Sequence, residues 1–104
     1  MTVQDLKARL QECDIRKLLL LMGATFYYED DKCWITDTIC HGGKKPKLYY
    51  YKDSMSFHCY TECGQMDVIS FVMKYNGYDT SELKKAIQWI ISKLNIGSYP
   101  VGFG

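Results

Sequence analysis

Apolar positions at the N-terminal end of the chain follow a helical period. Val3, Leu6 and Leu10 are spaced i, i+3 and i+7, which predicts a first helix over residues 3–12. Asp14 is a suitable N-cap for a second, short helix over residues 15–22, and Gly23 would end it. This end of the chain is therefore expected to be helical.

The middle of the chain has the alternation of β-strands instead. Short β segments are predicted at residues 25–28 and 33–36, with the acidic stretch 29–31 as the turn between them. Residues 47–52 and 55–60 are rich in aromatic residues and alternate with period two, so we expect a hairpin around residues 52–54. Because side chains alternate between the faces of a strand, Tyr49 and Tyr51 should share one face.

The C-terminal part of the chain returns to helical spacing. A helix is predicted over residues 66–75 and ended by Gly77. Asp79 and Glu82 have capping-box spacing before a last amphipathic helix that reaches Leu94 and is closed by Gly97. The expected fold class is α+β, a zinc-ribbon-like antiparallel β-sheet packed with flanking N- and C-terminal helices. Residues 1–97 would form one domain, and residues 98–104 look like the start of a linker.

Composition indicates why this domain needs a bound metal or disulfides to stabilise its fold. Apolar residues make up 47% of the 104, but the aliphatic ones cluster at the two ends, so the middle section cannot easily bury enough aliphatic surface to fold by itself. Five cysteines are an odd number, and neither a signal peptide nor a transmembrane run is apparent. In the reducing cytoplasm, which is the expected location, cysteines in such a pattern indicate metal ligands before disulfides.

Two pairs of residues offer the four ligands of a zinc site. Cys59 and Cys63 lie at a predicted strand end followed by Gly64, and Cys40 and His41 precede two glycines. Adjacent side chains on an extended chain point in opposite directions, so Cys40 and His41 can both bind only if the backbone turns between them. Cys33 is an alternative first ligand and His58 a weaker one, whereas Cys13 is expected to pack within its helix. With four protein ligands the Zn²⁺ site would be structural, without an open position for a catalytic water.

The residues around these pairs carry a family resemblance. A first run begins at Cys40-His41, passes Pro46 and reaches Phe57-His58-Cys59-Tyr60 and Cys63-Gly64. A predicted helix follows it, with the sequence Asp67-Val68-Ile69-Ser70-Phe71-Val72-Met73-Lys74-Tyr75-Asn76-Gly77. This arrangement resembles the N-terminal zinc-binding domain of bacterial DnaG-type DNA primases over residues 14–97. The Cys-His form, with Cys40 shifted next to His41, is similar to primases of phages and mobile elements.

The resemblance implies a function and partners. It implies a module that touches single-stranded template DNA and helps to select where primers start, with the polymerising carboxylates in a separate domain in the same or another chain. No catalytic residue is expected here, because Asp30, Asp31, Asp37 and Asp53 show no paired arrangement. A replicative helicase is a further expected partner, and a membrane is not. The alternative is a stand-alone zinc-ribbon module that binds a protein.

Basic and aromatic residues of the middle segment would hold the DNA. The net charge is only +1, but lysines gather after the first ligand pair. Aromatic faces stack on bases and cations follow phosphates. The expected DNA-binding residues are Lys44, Lys45, Lys47, Tyr49, Tyr51, Lys52, His58 and Tyr60. Half of the aromatics, Phe57 and one tyrosine pair among them, are expected in the core, and Trp34 could serve either purpose.

Overall fold

A computed structural model describes residues 3–94 of the chain, and the predicted linker at residues 98–104 and the helix stop at Gly97 lie outside them. The elements in chain order are α1 (Val3–Arg9), α2 (Glu12–Leu21), β1 (Phe26–Glu29), β2 (Cys33–Thr36), a 3₁₀ turn (Ile39–His41), β3 (Leu48–Tyr51), β4 (Ser56–Cys59), β5 (Gly64–Asp67), α3 (Val68–Asn76) and α4 (Leu83–Leu94).

The five strands form one antiparallel meander in which each strand pairs with the next, in the order β1-β2-β3-β4-β5. Tight turns join β1 to β2, β3 to β4 and β4 to β5, as antiparallel neighbours allow, whereas β2 and β3 are joined by the longer segment 37–47, which contains the 3₁₀ turn. The register places Tyr49 opposite His58 and Cys59 opposite Gly64. The predicted α+β class, an antiparallel sheet with flanking helices, is confirmed.

One face of the sheet is covered by helices and forms the core. Phe57 is fully buried and its ring stacks on Phe71 of α3, with the ring centroids 4.1 Å apart. Trp34 and Tyr50 lie on the same face, 2% and 3% exposed, which places Trp34 in the core. Phe57 was correctly expected there, but of the tyrosines within residues 3–94 Tyr50 is the one that is buried, rather than a pair. The opposite face of the sheet is left open.

Strand β5 is an element that the sequence pattern did not predict. Residues 66–75 were expected to be helical throughout, but Met66 belongs to β5 and pairs with Phe57, and the helix begins at Val68. Asp67 marks the boundary, because its carboxylate accepts a hydrogen bond of 2.7 Å from the backbone N–H of Ser70. The strand before Asp67 was too short to show a period of its own.

The N-terminal helices also differ from the prediction. The first helix ends at Arg9 rather than at residue 12, and α2 begins at Glu12. Asp14 is not the N-cap of α2: it lies inside the first turn, where its carboxylate accepts the N–H of Gln11 at 2.9 Å. Cys13 is exposed and does not pack within the helix, because the buried side of α2 is formed by residues further along, Ile15, Leu18 and Leu19.

The ends of the last two helices follow the predicted capping. Gly77 has a φ of 72°, which few residues other than glycine adopt, and the N–H of Tyr78 returns to the carbonyl of Met73 at 2.9 Å. Before α4, the Glu82 carboxylate accepts the N–H of Asp79 at 3.0 Å, as capping-box spacing suggests. None of the helices within residues 3–94 combines the length and the apolar character that crossing a membrane requires.

Candidate metal centre

The four candidate ligands come from two turns that meet beside α3. Cys40 and His41 lie in the 3₁₀ turn, Cys59 is the last residue of β4, and Cys63 directly precedes β5. Since Cys59 pairs with Gly64, the β4–β5 hairpin closes around a four-residue turn, residues 60–63. The 3₁₀ turn packs against α3, which brings both turns to the same end of the core.

The backbone turns between Cys40 and His41, as joint binding by these neighbours requires. The N–H of His41 returns to the carbonyl of Thr38 at 3.2 Å, and that of Gly42 to Ile39 at 3.2 Å. Gly42 then takes a left-handed conformation with a φ of 74°. On such a turn, successive side chains are about 120° apart rather than opposed, so both can face one point.

Position 43 requires glycine because neighbouring side chains approach its Cα closely, and not because of its backbone angles. Its N–H donates to the carbonyl of Thr38 at 2.9 Å. A Cβ at this position would lie 2.0 Å from the Thr38 hydroxyl oxygen and 2.8 Å from Cε1 of His41. The backbone of residue 43 therefore forms one wall of the pocket that orients the His41 ring.

The donor atoms of Cys40, His41, Cys59 and Cys63 all lie within 4.8 Å of one another. A tetrahedral ion with metal–sulfur bonds of about 2.3 Å has ligand–ligand edges of about 3.7 Å, so the longest separation needs to shorten by roughly 1 Å. Cys40 and Cys59 are each only 2% exposed, which leaves their sulfur atoms shielded from water. The cluster can hold a metal ion, and the residues present fit one.

Hydrogen bonds of the β4–β5 turn favour a thiolate at Cys59. Burial raises the pKa of this thiol, but donation from the backbone N–H of Glu62, from the hydroxyl of Thr61 and from the backbone N–H of Cys63 outweighs burial and lowers the pKa to about 5. The Thr61 hydroxyl lies 3.2 Å from the sulfur. Because the thiolate is the form that binds metals, this turn prepares Cys59 as a ligand.

The other two sulfur atoms resist ionisation at this spacing. Burial raises the pKa of Cys40, and its hydrogen bond to Cys63 and the negative charge of Cys59 raise it further. Burial also raises the pKa of Cys63. A second and a third thiolate are unfavourable in a cluster that already carries one, and a divalent cation at its centre would remove that repulsion. The electrostatics of the cluster therefore favour a bound cation.

Both ring nitrogens of His41 lie near side chains of the β4–β5 turn. Nε2 lies 3.0 Å from the Thr61 hydroxyl, and Nδ1 lies 3.6 Å from a carboxylate oxygen of Glu62. A metal-binding histidine commonly donates its second ring N–H to a carboxylate, and Glu62 is the carboxylate near Nδ1. A metal on Nε2 would then replace the contact of that nitrogen with Thr61. Neither Thr61 nor Glu62 was among the predicted site residues; their position between Cys59 and Cys63 was the available signal.

The structure separates the alternative ligands from this cluster. Cys33 pairs with Tyr51, and its side chain lies on the open face of the sheet, together with that of His58. Cys59, in contrast, lies on the helix-covered face. Within residues 3–94, neither Cys33 nor His58 is among the grouped donors.

An aromatic cluster occupies the open face of the sheet next to the metal turn. The rings of His58 and Tyr60 have centroids 4.1 Å apart, and those of Tyr49 and Tyr60 are 4.8 Å apart. The hydroxyls of Tyr51 and Tyr60 lie 2.7 Å apart, and this hydrogen bond raises the pKa of Tyr51 to about 12. Four of the predicted DNA-binding residues thus form one group, here named the aromatic platform: Tyr49, Tyr51, His58 and Tyr60.

The predicted lysines divide between the two sides of the sheet. Lys44, Lys45 and Lys47 are exposed on the loop before β3, and the carbonyl of Lys47 accepts the N–H of Tyr60 at 2.9 Å. Lys52 lies on the helix-covered side instead. Its Nζ is 3.3 Å from a carboxylate oxygen of Glu12 and 4.9 Å from the ring centre of Trp34. Lys47 therefore adjoins the aromatic platform through its backbone, and Lys52 lies on the other side of the sheet.

Comparison with known proteins gives one informative relative. No family model matches the chain. No solved structure matches it either. The SPbeta prophage-derived uncharacterized protein YorJ of Bacillus subtilis (strain 168) is 34% identical over 103 aligned positions, which cover 88% of this chain and 25% of the relative. The chain thus spans about a quarter of the length of this relative, which is encoded by a prophage.

Proposed function

We propose that this chain is the zinc-binding module of a phage DNA primase of the DnaG type, and that it binds single-stranded template DNA. The observation that supports this proposal best is the contact between the two sites. The turn that carries Cys59 and Cys63 also carries Tyr60, whose ring packs in the aromatic platform.

Zinc is the metal that the donor set favours. Three cysteine sulfurs and one imidazole are typical of structural zinc sites, which are tetrahedral and closed. The buried position of Cys40 and Cys59 fits such a closed site. Zinc would then contribute directly to folding, since the two turns are drawn together by the ion.

The aromatic platform and the adjacent lysines suit single-stranded DNA. Each base that stacks on an aromatic ring contributes about 1–3 kcal/mol, and stacking tolerates any base. Tyr60 is 53% exposed and so offers a ring surface to a base. The backbone contact between Lys47 and Tyr60 places the lysine loop where it could follow the phosphates of a stacked strand.

The assignment to a primase rests on the resemblance of residues 14–97 and on the prophage origin of the relative. In a longer polypeptide, a separate domain would supply the polymerising carboxylates. The module would then hold the template and help to choose the initiation site, with a catalytic primase domain and a replicative helicase as partners.

A salt titration of DNA binding tests the proposal. The zinc-loaded chain should bind a short fluorescent single strand, and the logarithm of its affinity should fall linearly with the logarithm of salt concentration. Replacing Lys44, Lys45 and Lys47 together by glutamine should reduce that slope by about 2, at roughly 0.7 for each lost phosphate contact. The matched control changes Lys17, Lys84 and Lys93 on the helices to glutamine, which alters the net charge equally and should leave the slope nearly unchanged.

Absence of binding at low salt by the zinc-loaded chain would contradict the DNA proposal. A protein partner would then become the better function. One observation favours that second candidate: Leu20, Leu21 and Tyr27 are 50%, 53% and 54% exposed, and large exposed apolar side chains often mark protein interfaces.

A further inference from the structure

Tyr60 belongs to two sites at once. It follows Cys59 directly and lies in the four-residue turn that ends at Cys63. Its ring also packs against His58 and Tyr49, and its hydroxyl meets that of Tyr51. A change in the geometry of the metal turn would therefore reach the aromatic platform through this residue.

The other members of the platform are held independently of the metal turn. Tyr49 and Tyr51 lie in β3 and His58 lies in β4, where ladder hydrogen bonds fix the backbone. Tyr60 is the only member of the platform outside a strand. The backbone N–H of Tyr60 donates to the carbonyl of Lys47 at 2.9 Å, and about half of its surface is exposed. The ring therefore depends on its contacts with the platform and on the conformation of the turn that follows Cys59.

We infer that Tyr60 is a positioning residue that couples metal binding to the aromatic platform: an ion held by Cys59 and Cys63 fixes the turn and so seats the Tyr60 ring on His58 and Tyr49. The coupling also makes metal binding and single-stranded DNA binding mutually dependent. The DNA part rests on the proposed function; the dependence of the ring position on the metal does not.

Thermodynamic linkage gives this inference a measurable form. If the metal raises DNA affinity by some factor, DNA must raise metal affinity by the same factor. Couplings between sites are typically 5- to 150-fold, and we expect about tenfold here because one ring of four is affected.

The first experiment needs no DNA. Proton NMR of the full chain is recorded with bound zinc and after chelation, and the ring signals of His58 and Tyr60 are followed, with Tyr50 and Phe57 as core controls. We expect His58 and Tyr60 to lose their mutual ring-current shifts on chelation while the core signals keep theirs. Persistence of the His58–Tyr60 shifts without metal would overturn the inference.

The second experiment begins with zinc bound. It tests the role of Tyr60 even if chelation in the first experiment also unfolds the core. Zinc affinity is measured at equilibrium by competition with a chromogenic chelator, with and without saturating oligothymidylate. The oligonucleotide should protect bound zinc by raising zinc affinity about tenfold in the unaltered chain. The same protection is expected in the matched control Tyr27→Ala, since Tyr27 is 54% exposed against 53% for Tyr60. Tyr60→Ala, studied at a concentration of oligonucleotide that saturates it, should lose this protection.

The outcomes separate the two proposals. Equal protection of Tyr60→Ala and the unaltered chain would overturn the role of Tyr60. If the NMR shifts respond to zinc but the oligonucleotide never binds, the proposed DNA function fails and the seating of Tyr60 by the metal stands.

Discussion

Replacing Gly43 by alanine tests whether the wall beside His41 sets metal affinity. The new Cβ would lie 2.0 Å from the Thr38 hydroxyl oxygen and 2.8 Å from Cε1 of His41, whereas ordinary contacts begin at 3.4 Å. The hydroxyl must therefore move by about 1.4 Å and the imidazole by about 0.6 Å. Rotating Thr38 to another rotamer relieves only the hydroxyl, because its Cβ stays at 3.2 Å.

The displacement of the imidazole determines the expected size of the effect. Metal sites tolerate errors of about 0.2 Å in bond length, so a shift of about 0.6 Å in the ring must be reversed by strain elsewhere. Overpacking of this kind costs about 1–3 kcal/mol. If the metal-bound state carries that strain, zinc affinity falls by roughly 5- to 150-fold, at about 1.4 kcal/mol for each factor of ten.

Competition with a chelator of known affinity measures the change. Lys44→Ala is the control at the neighbouring exposed position and should bind zinc as the unaltered chain does. Adding Thr38→Ala to Gly43→Ala removes the clash with the hydroxyl and leaves the clash with the imidazole, so it should restore little of the affinity. Zinc affinity of Gly43→Ala within twofold of the unaltered chain would refute the steric reasoning.

Two further predictions concern the cap of α3 and the choice of ligands. Asp67→Ala should lower the free energy of unfolding by about 0.5–2 kcal/mol in denaturant titrations. Burial raises the pKa of Asp67, but hydrogen bonds from Ser70 outweigh burial and lower it. The loss of stability in Asp67→Ala should therefore be full above about pH 4 and shrink as pH falls through the lowered pKa. A loss of stability that does not depend on pH would contradict the capping role. Cys63→Ser should lose most of its zinc by mass spectrometry while Cys33→Ser keeps one ion per chain, and equal loss from both would show that the ligand set is wrong.

Local features of the fold were accessible from sequence because short-range physics governs them. The amphipathic helix α4 and the end of α3 at Gly77 depend on neighbours within a few positions, and both elements were predicted from the sequence. Strand β5 was missed because its four residues have no periodicity of their own and are defined by pairing with β4. The split between α1 and α2 was predicted, but about three residues too late along the chain, since apolar spacing continues to Leu10, beyond the end of α1 at Arg9.

By itself, the sequence determined which side chains share a strand face and which residue types can bind a metal. Only the tertiary structure decided which face the helices cover, and with it that Tyr50 is core while Tyr49 is half-buried. It also set Cys40 against Cys59 and Cys63 while leaving Cys33 on the opposite face. The physical reason is that alternation fixes relative directions within one strand, whereas the meeting of two turns far apart in sequence depends on packing of the whole core.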